Sequence, residues 1–498
     1  MDWRWCFVML ASLTGLLAWP AFAEGAPGSP THTCRVEGMP NELQCGVVKR
    51  PLNPAVADGP QIDVHYLVVP AMSRNKHHDA VLLLAGGPGQ SAIDLAPAVV
   101  PRLSRLNNRR DLVFIDQRGT GLSAPLQCAD DSKLPLQEST DPAQQLQRLR
   151  QCSETIAKLP YGDMRFFSTT LAMQDFEAVR EQLGVPQWNL VGASYGTRAA
   201  LEYLRQFPQK VRRTVIDGVA PPDMVLPASF ATDGQAALDA MFRACEADLR
   251  GPAACAKHYP QLRQQWGDLL KRLPMRVTVN HPVTGAAQAF ELTRPVLLQM
   301  VRGPLYAPAL ASALPAAIDA AAHGNFAGLM GLSGALGNRK SNKLAMGMHF
   351  AVVCAEDVPR IADAAQQPPS DFGQIDVQKY ENVCAFWPRG EVPSGFYQLP
   401  AAQSPVLVLG GGADPVTPPR HGERVTKALG AKAQHVVVPE GGHGVMGLGC
   451  MRDVVVRFIT APTDAQALPQ DASCAIKVPR PSVFLPAGTG VKKGRAHD

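Results

Sequence analysis

The stretch NLVGASYGTR, residues 189–198, decides how the rest of the chain is read. It holds Gly192-Ala-Ser194-Tyr-Gly196, of the form G-x-S-x-G. That pattern is short. It gains meaning only when a strand precedes it, a helix follows it, and an acid and then a histidine come later in the chain. Trp188–Val191 is an apolar run of strand type. Beyond Gly196 the sequence reads as a helix, continued by Ala199–Phe207 and ended by Pro208. Small residues around Ser194 allow a sharp turn, so its hydroxyl stands above the sheet at a helix N-terminus, where negative charge is favoured.

Outward from this turn, further short apolar runs predict buried strands at Val81–Leu84, Leu112–Ile115, Arg213–Ile216, Val406–Leu409 and His435–Val438. Most lead into loops bearing Gly or Asp, as strands of a parallel sheet do. Cys45–Lys49 and Ile62–Val69 suit an antiparallel pair at its edge. Leu171–Leu183 gathers Leu171, Phe176, Val179 and Leu183 near one helical face, and Gly184 follows as a stop. The expected fold class is α/β, a mostly parallel central sheet with helices on both faces. The alternation breaks after Ile216. Residues 221–400, rich in Ala, Leu, Pro and Gln, predict a mainly helical insertion over the sheet, between core parts 24–220 and 401–498. The tail from Pro486 is Gly- and Lys-rich and reads as disordered.

A nucleophilic serine needs a base and an acid. His443 lies just past the strand His435–Val438, flanked by glycines in Pro439-Glu-Gly-Gly-His443-Gly, and is the predicted general base. His435 is at the wrong end of its strand, and His421 falls at a helix start. Asp414 follows Val406–Leu409, one strand back from His443, which gives the order Ser, Asp, His. Asp217, after Arg213–Ile216, is the rival acid. The fourth requirement is an oxyanion hole. The loop Gly86-Gly87-Pro88-Gly89 follows a strand, and its Gly87 N–H is expected to pair with the N–H of Tyr195. Each such donor is worth about 3 kcal/mol of barrier. The loop does not have the spacing of a nucleotide-binding glycine motif. No metal or organic cofactor is called for.

The composition is that of a globular protein, with 498 residues, 46% of them hydrophobic and 18% charged. The net charge of +5 is scattered without a basic stripe, so nucleic acid is not expected as a partner. Residues 1–23 read as a signal peptide: Arg4, an apolar run from Trp5 to Trp19, and a cleavage site at Ala21-Phe22-Ala23. The alternative is an uncleaved anchor. No later segment reads as a membrane span, and the expected location is the periplasm or the extracellular space. Of the 11 cysteines, Cys6 falls within the leader, and none of the others forms a C-x-x-C pair. In an oxidising compartment nearest-neighbour disulfides are expected, 34–45, 128–152, 245–255, 354–384 and 450–474.

Taken together, GGPG at 86–89, DQRGTGLS at 116–123, GASYGTR at 192–198, GGADPVTPP at 411–419 and GGHG at 441–444 resemble the prolyl iminopeptidase and tripeptidyl aminopeptidase family of secreted α/β-hydrolases. The resemblance runs over most of the chain and is weakest in the insertion. It implies an α/β-hydrolase fold, a serine exopeptidase acting on free peptide N-termini, a helical cap, and triad roles for Ser194, Asp414 and His443. Ala85 stands where smaller members often have His, which leans the match to the tripeptidyl branch. The insertion is too divergent to carry over a proline pocket. A free ammonium calls for a carboxylate near the triad. AVVCAEDVPR is where similar enzymes carry an acid after a cysteine, so Glu356 and Asp357 are the candidates. Phe386, Trp387, Phe396 and Tyr397 belong either to an apolar pocket or to the core of the cap. Asp116 and Arg118 are expected to brace the loop beside the oxyanion hole. The competing expectation is an esterase or lipase on the same fold. The oligomeric state is left open.

Overall fold

The structure, a computed structural model, describes residues 30–56, 58–249, 254–335, 343–363 and 370–485. The expected leader at 1–23 and the tail from Pro486 lie outside the described residues. The strands are β1 (Thr31–Cys34), β2 (Leu43–Pro51), β3 (Gln61–Val69), β4 (Ala80–Leu84), β5 (Leu112–Ile115), β6 (Trp188–Ala193), β7 (Val211–Asp217), β8 (Met275–Asn280), β9 (Ala287–Leu292), β10 (Val406–Gly411) and β11 (Ala433–Val438). Nine of them form one sheet in the order β1-β2-β3-β5-β4-β6-β7-β10-β11. The pairs β1·β2, β2·β3 and β3·β5 are antiparallel. From β5 onward every pairing is parallel.

The central strands are buried at every residue of β4, β5 and β10. A parallel strand covered on both faces needs such an unbroken apolar run. The period of two divides each strand between two cores. Leu82, Leu84, Val113, Ile115, Leu190 and Val408 point into one cluster. Val81, Leu83, Leu112, Phe114, Val191 and Leu409 point into the other. Burying each such side chain contributes about 1.5–3 kcal/mol, so the alternation holds both helical layers to one sheet.

Between β7 and β10 the chain builds a third cluster. Its helices include Leu226–Ala247, Leu262–Lys271, Arg294–Leu305 and Leu314–Ala322. The antiparallel pair β8·β9 joins them, with Val277, Val279, Phe290 and Leu292 turned into this cluster. Among its described residues the insertion is therefore mainly helical, with one hairpin. Its later helix, Met346–Glu356, packs instead on the sheet-side core through Phe350, Val352 and Val353. Disulfides join 34–45, 128–152, 245–255, 354–384 and 450–474, the pairing expected of nearest neighbours. Among the described residues no helix is long and apolar enough to cross a membrane.

Candidate active site

Ser194 follows β6 directly and caps the helix Tyr195–Gln206, with φ +57° and ψ −127°. This left-handed conformation is strained for a side-chain-bearing residue. Two close approaches hold the turn. A Cβ on Gly192 would lie 2.4 Å from the Gly196 carbonyl oxygen, and one on Gly196 would lie 2.1 Å from that of Leu84. Only glycine fits either position. The Ser194 N–H donates to the Asp217 carbonyl (3.0 Å), and the Thr197 hydroxyl donates to the Ser194 carbonyl (2.6 Å).

Asp414 and His443 arrive from the C-terminal ends of β10 and β11. His443 Nδ1 is 2.8 Å from Asp414 Oδ2. Because an ionised carboxylate only accepts, Nδ1 carries the proton and Nε2 is free to take one. Asp414 is saturated: Oδ1 accepts the N–H groups of Val416 and Thr417 (2.9 Å each), and Oδ2 also accepts the Thr417 hydroxyl (2.7 Å). Burial pushes the Asp414 carboxyl up, but the His443 charge and these hydrogen bonds outweigh it and hold it below the usual range. Burial pushes His443 down, yet the charge and hydrogen bond of Asp414, with the charge of Asp217, lift it above its usual 6.5. The insertion reaches the imidazole through Tyr306. Its carbonyl accepts the His443 N–H (2.8 Å), and its ring meets the imidazole edge-on with centroids 5.1 Å apart. Thr417 was legible only as part of DPVTPP, and Tyr306 had no local signal at all.

The Gly86–Gly89 loop passes beside the serine: a Cβ on Gly86 would lie 3.3 Å from Ser194 Cβ. The Tyr195 N–H is the first of its helix and has no carbonyl one turn earlier to bond. Asp116 fixes the far side of the loop. It accepts the Ser91 hydroxyl (2.7 Å), the Ile93 N–H (3.1 Å) and the Leu122 N–H (3.1 Å). The insertion braces the same loop through His349, whose Nδ1 is 3.1 Å from the Pro88 carbonyl and whose Nε2 is 2.8 Å from the Tyr380 hydroxyl. The carbonyl can only accept, so Nδ1 donates. Burial lowers this imidazole to about 4 and keeps it neutral. Arg118 stands further off, buried in a two-pronged pair with Asp175 (2.7 and 2.8 Å).

Glu356 and Asp357, the expected partners of a substrate ammonium, lie in the interior. Both are buried, at 1% and 0% exposure. Asp357 holds the Arg198 guanidinium on both oxygens (2.9 and 3.0 Å) and also accepts the Leu226 N–H (3.0 Å). Glu356 accepts the Thr169 N–H (2.8 Å) and hydroxyl (2.9 Å), and Thr169 in turn meets the Tyr195 hydroxyl (2.6 Å). Burial raises the Glu356 carboxyl to about 7, against the pull of Arg198. Both carboxylates therefore bond groups of the protein interior, and Glu356, through Thr169, reaches the hydroxyl of Tyr195, the residue after Ser194. Of the four aromatics, Trp387 and Phe396 are buried core. Phe386 lies under Arg150 at 4.4 Å, and the Tyr397 hydroxyl donates to the Glu356 carbonyl (3.0 Å).

Two family descriptions match the chain: alpha/beta hydrolase fold over residues 79–258, and TAP-like protein over residues 370–474. The chain has the α/β-hydrolase fold. Among its relatives, the tripeptidyl aminopeptidase of Streptomyces coelicolor is 28% identical over 197 residues, covering 37% of this chain and 36% of that protein. The serine protease Hip1 of Mycobacterium tuberculosis is 23% identical over 483 residues, 88% of each chain. Carboxylesterase B of the same species is 25% identical over 468 residues, covering 87% of this chain and 86% of that protein.

Proposed function

We propose that this hydrolase is an exported serine aminopeptidase, tripeptidyl- or prolyl-aminopeptidase-like, that cleaves peptide bonds near free N-termini. The observation that carries this reading is the Asp414–His443 pair at the ends of β10 and β11, in a chain that also carries the strained Ser194 turn at the end of β6 and is similar to a serine protease along 88% of its length. Ser194 Oγ attacks the scissile carbonyl while His443 Nε2 takes its proton. The N–H groups of Gly87 and Tyr195 hold the oxyanion. The imidazolium, steadied by Asp414, protonates the leaving amine, and water then hydrolyses the acyl-enzyme with the same base. Export is supported by the leader pattern of residues 1–23 and by the five disulfides.

A second reading, a carboxylesterase, is favoured by the long match to Carboxylesterase B and by the inward burial of Glu356 and Asp357. A panel of aminoacyl- and tripeptidyl-anilides with free and blocked N-termini, set beside simple esters, separates the two. The aminopeptidase reading expects free N-termini to be preferred; a clear preference for blocked substrates or esters sinks it. Ser194→Ala is expected to leave the far-UV and near-UV spectra unchanged and to lower turnover by roughly three orders of magnitude or more.

A further inference from the structure

Asp217 ends β7, the strand between the one that delivers Ser194 and the one that delivers Asp414. In register it faces Ala193 on one side and Leu409 on the other. Its backbone carbonyl accepts the Ser194 N–H (3.0 Å). Its side chain works in the other direction. Oδ2 accepts the N–H groups of Val445 and Met446, both at 2.7 Å, directly downstream of His443. The next residue, Gly218, runs so close under the imidazole that a Cβ there would lie 3.4 Å from His443 Nδ1 and Cε1. One residue thus links the nucleophile turn to the base loop.

We propose that Asp217 is a positioning residue for His443, holding its loop through Oδ2 and adding a second negative charge behind the imidazolium. The inference rests on reading Ser194, Asp414 and His443 as the triad. Two features set Asp217 apart from a merely structural acid. It is 1% exposed, and its Oδ1 is buried with no hydrogen-bond partner among the described residues. An unsatisfied buried oxygen costs stability, so folding alone does not favour a carboxylate here. The charged groups facing it are His443 and Asp414. Burial raises its carboxyl to about 6, with the two N–H groups and His443 pulling the other way. The charge of Asp217 is among the causes that lift His443 above its usual 6.5.

The test compares Asp217→Asn with Asp217→Ala, using kcat, KM and the pH profile of kcat/KM on p-nitrophenyl acetate, an activated ester that acylates a serine triad whatever its peptide preference. Asn keeps an oxygen for the two N–H groups and loses the charge; Ala loses both. Asp217→Asn is expected to keep most of its plateau kcat while the acid limb moves down by roughly half a pH unit. Asp217→Ala is expected to lose about tenfold or more in kcat with KM nearly unchanged. Should the Ala variant fail to fold, the near-isosteric Asn variant decides alone through its limb. Wild-type kcat and limb in both variants, or an unmoved limb in Asp217→Asn, overturn the proposal. Ser194→Ala run in parallel separates the two failures: if it stays active, the triad reading falls, and if it is inactive beside unchanged Asp217 variants, only the role of Asp217 falls.

Discussion

At Ser194 the chain accepts a left-handed backbone, and two glycines four residues apart make room for it. That requirement is local, so the turn could be read from five letters and their neighbours. Asp414 and His443 were legible for a related reason: each follows a recognisable buried strand, and parallel strands collect their following loops at one end. Of the two rival acids, Asp414 is the one in contact with the imidazole, 2.8 Å from His443 Nδ1. The electrostatics of that pair predict a pH profile. In the proposed mechanism the neutral imidazole is the base, and Asp414 lifts it above 6.5 against the opposing effect of burial. The acid limb of kcat/KM should therefore lie above pH 6.5, with activity lost as pH falls through it. Asp414→Asn removes the lifting charge, so its limb should move to lower pH while kcat drops by about 10³–10⁴. A limb below 6.5 in the wild type, read from initial rates across pH 5 to 9 (~ the histidine range), contradicts this account.

Among the elements, the DQRG segment shows how a motif can sit beside a site without chemistry of its own. Arg118 is 1% exposed. Besides Asp175 it donates to the Leu52 and Phe166 carbonyls (3.1 and 2.8 Å). It thereby ties the loop after β5 to the end of β2, to the segment before the helix Thr169–Gln182, and to that helix itself. Arg50 also reaches Asp175, at 3.1 Å. Arg118→Ala leaves Asp175 with Arg50 as its remaining cation and takes a donor from two carbonyls, and is expected to cost about 3–5 kcal/mol. Urea midpoints measure this, and a loss under 1 kcal/mol (~ the worth of a surface pair) would mean that Arg50 compensates. Element type was legible where apolar runs were long and unbroken. It was not at β8 and β9. Their half-buried alternation, Val277 and Val279 against Phe290 and Leu292, is short and set within Ala- and Leu-rich sequence, so composition masked the period of two.

In the molecule as a whole, the insertion does more than sit over the sheet. Tyr306 touches His443, and His349 holds the Gly86–Gly89 loop. Neither contact has a local sequence signal, because each depends on where a separate hydrophobic cluster docks. The C-terminal segment secures that docking. Anchored by Cys450–Cys474, it leaves the cluster on the opposite face of the sheet, where Cys474 and Val478 pack, and Arg480 pairs with Glu440 of the His443 loop (3.4 Å). It then crosses to the insertion, where the Phe484 N–H donates to the Ser312 carbonyl (3.0 Å) and Val483 and Leu485 pack on the insertion cluster. Arg480 and Val483 also close one wall of a cavity of about 270 Å³, whose other walls include Met241, Leu305, Ala413 and Glu440. Ending the chain after Lys477 removes this strap and opens that wall to water. The half-buried Val483 and Leu485 together contribute about 1–3 kcal/mol to holding the insertion down. The shortened enzyme should be cut sooner by a protease within residues 221–400, while hydrogen exchange in β4, β5 and β6 stays at the wild-type level. Because Tyr306 rides on the insertion, kcat should fall along with this loosening. An unchanged cutting rate would show that the insertion is held by its contacts with the sheet-side core alone.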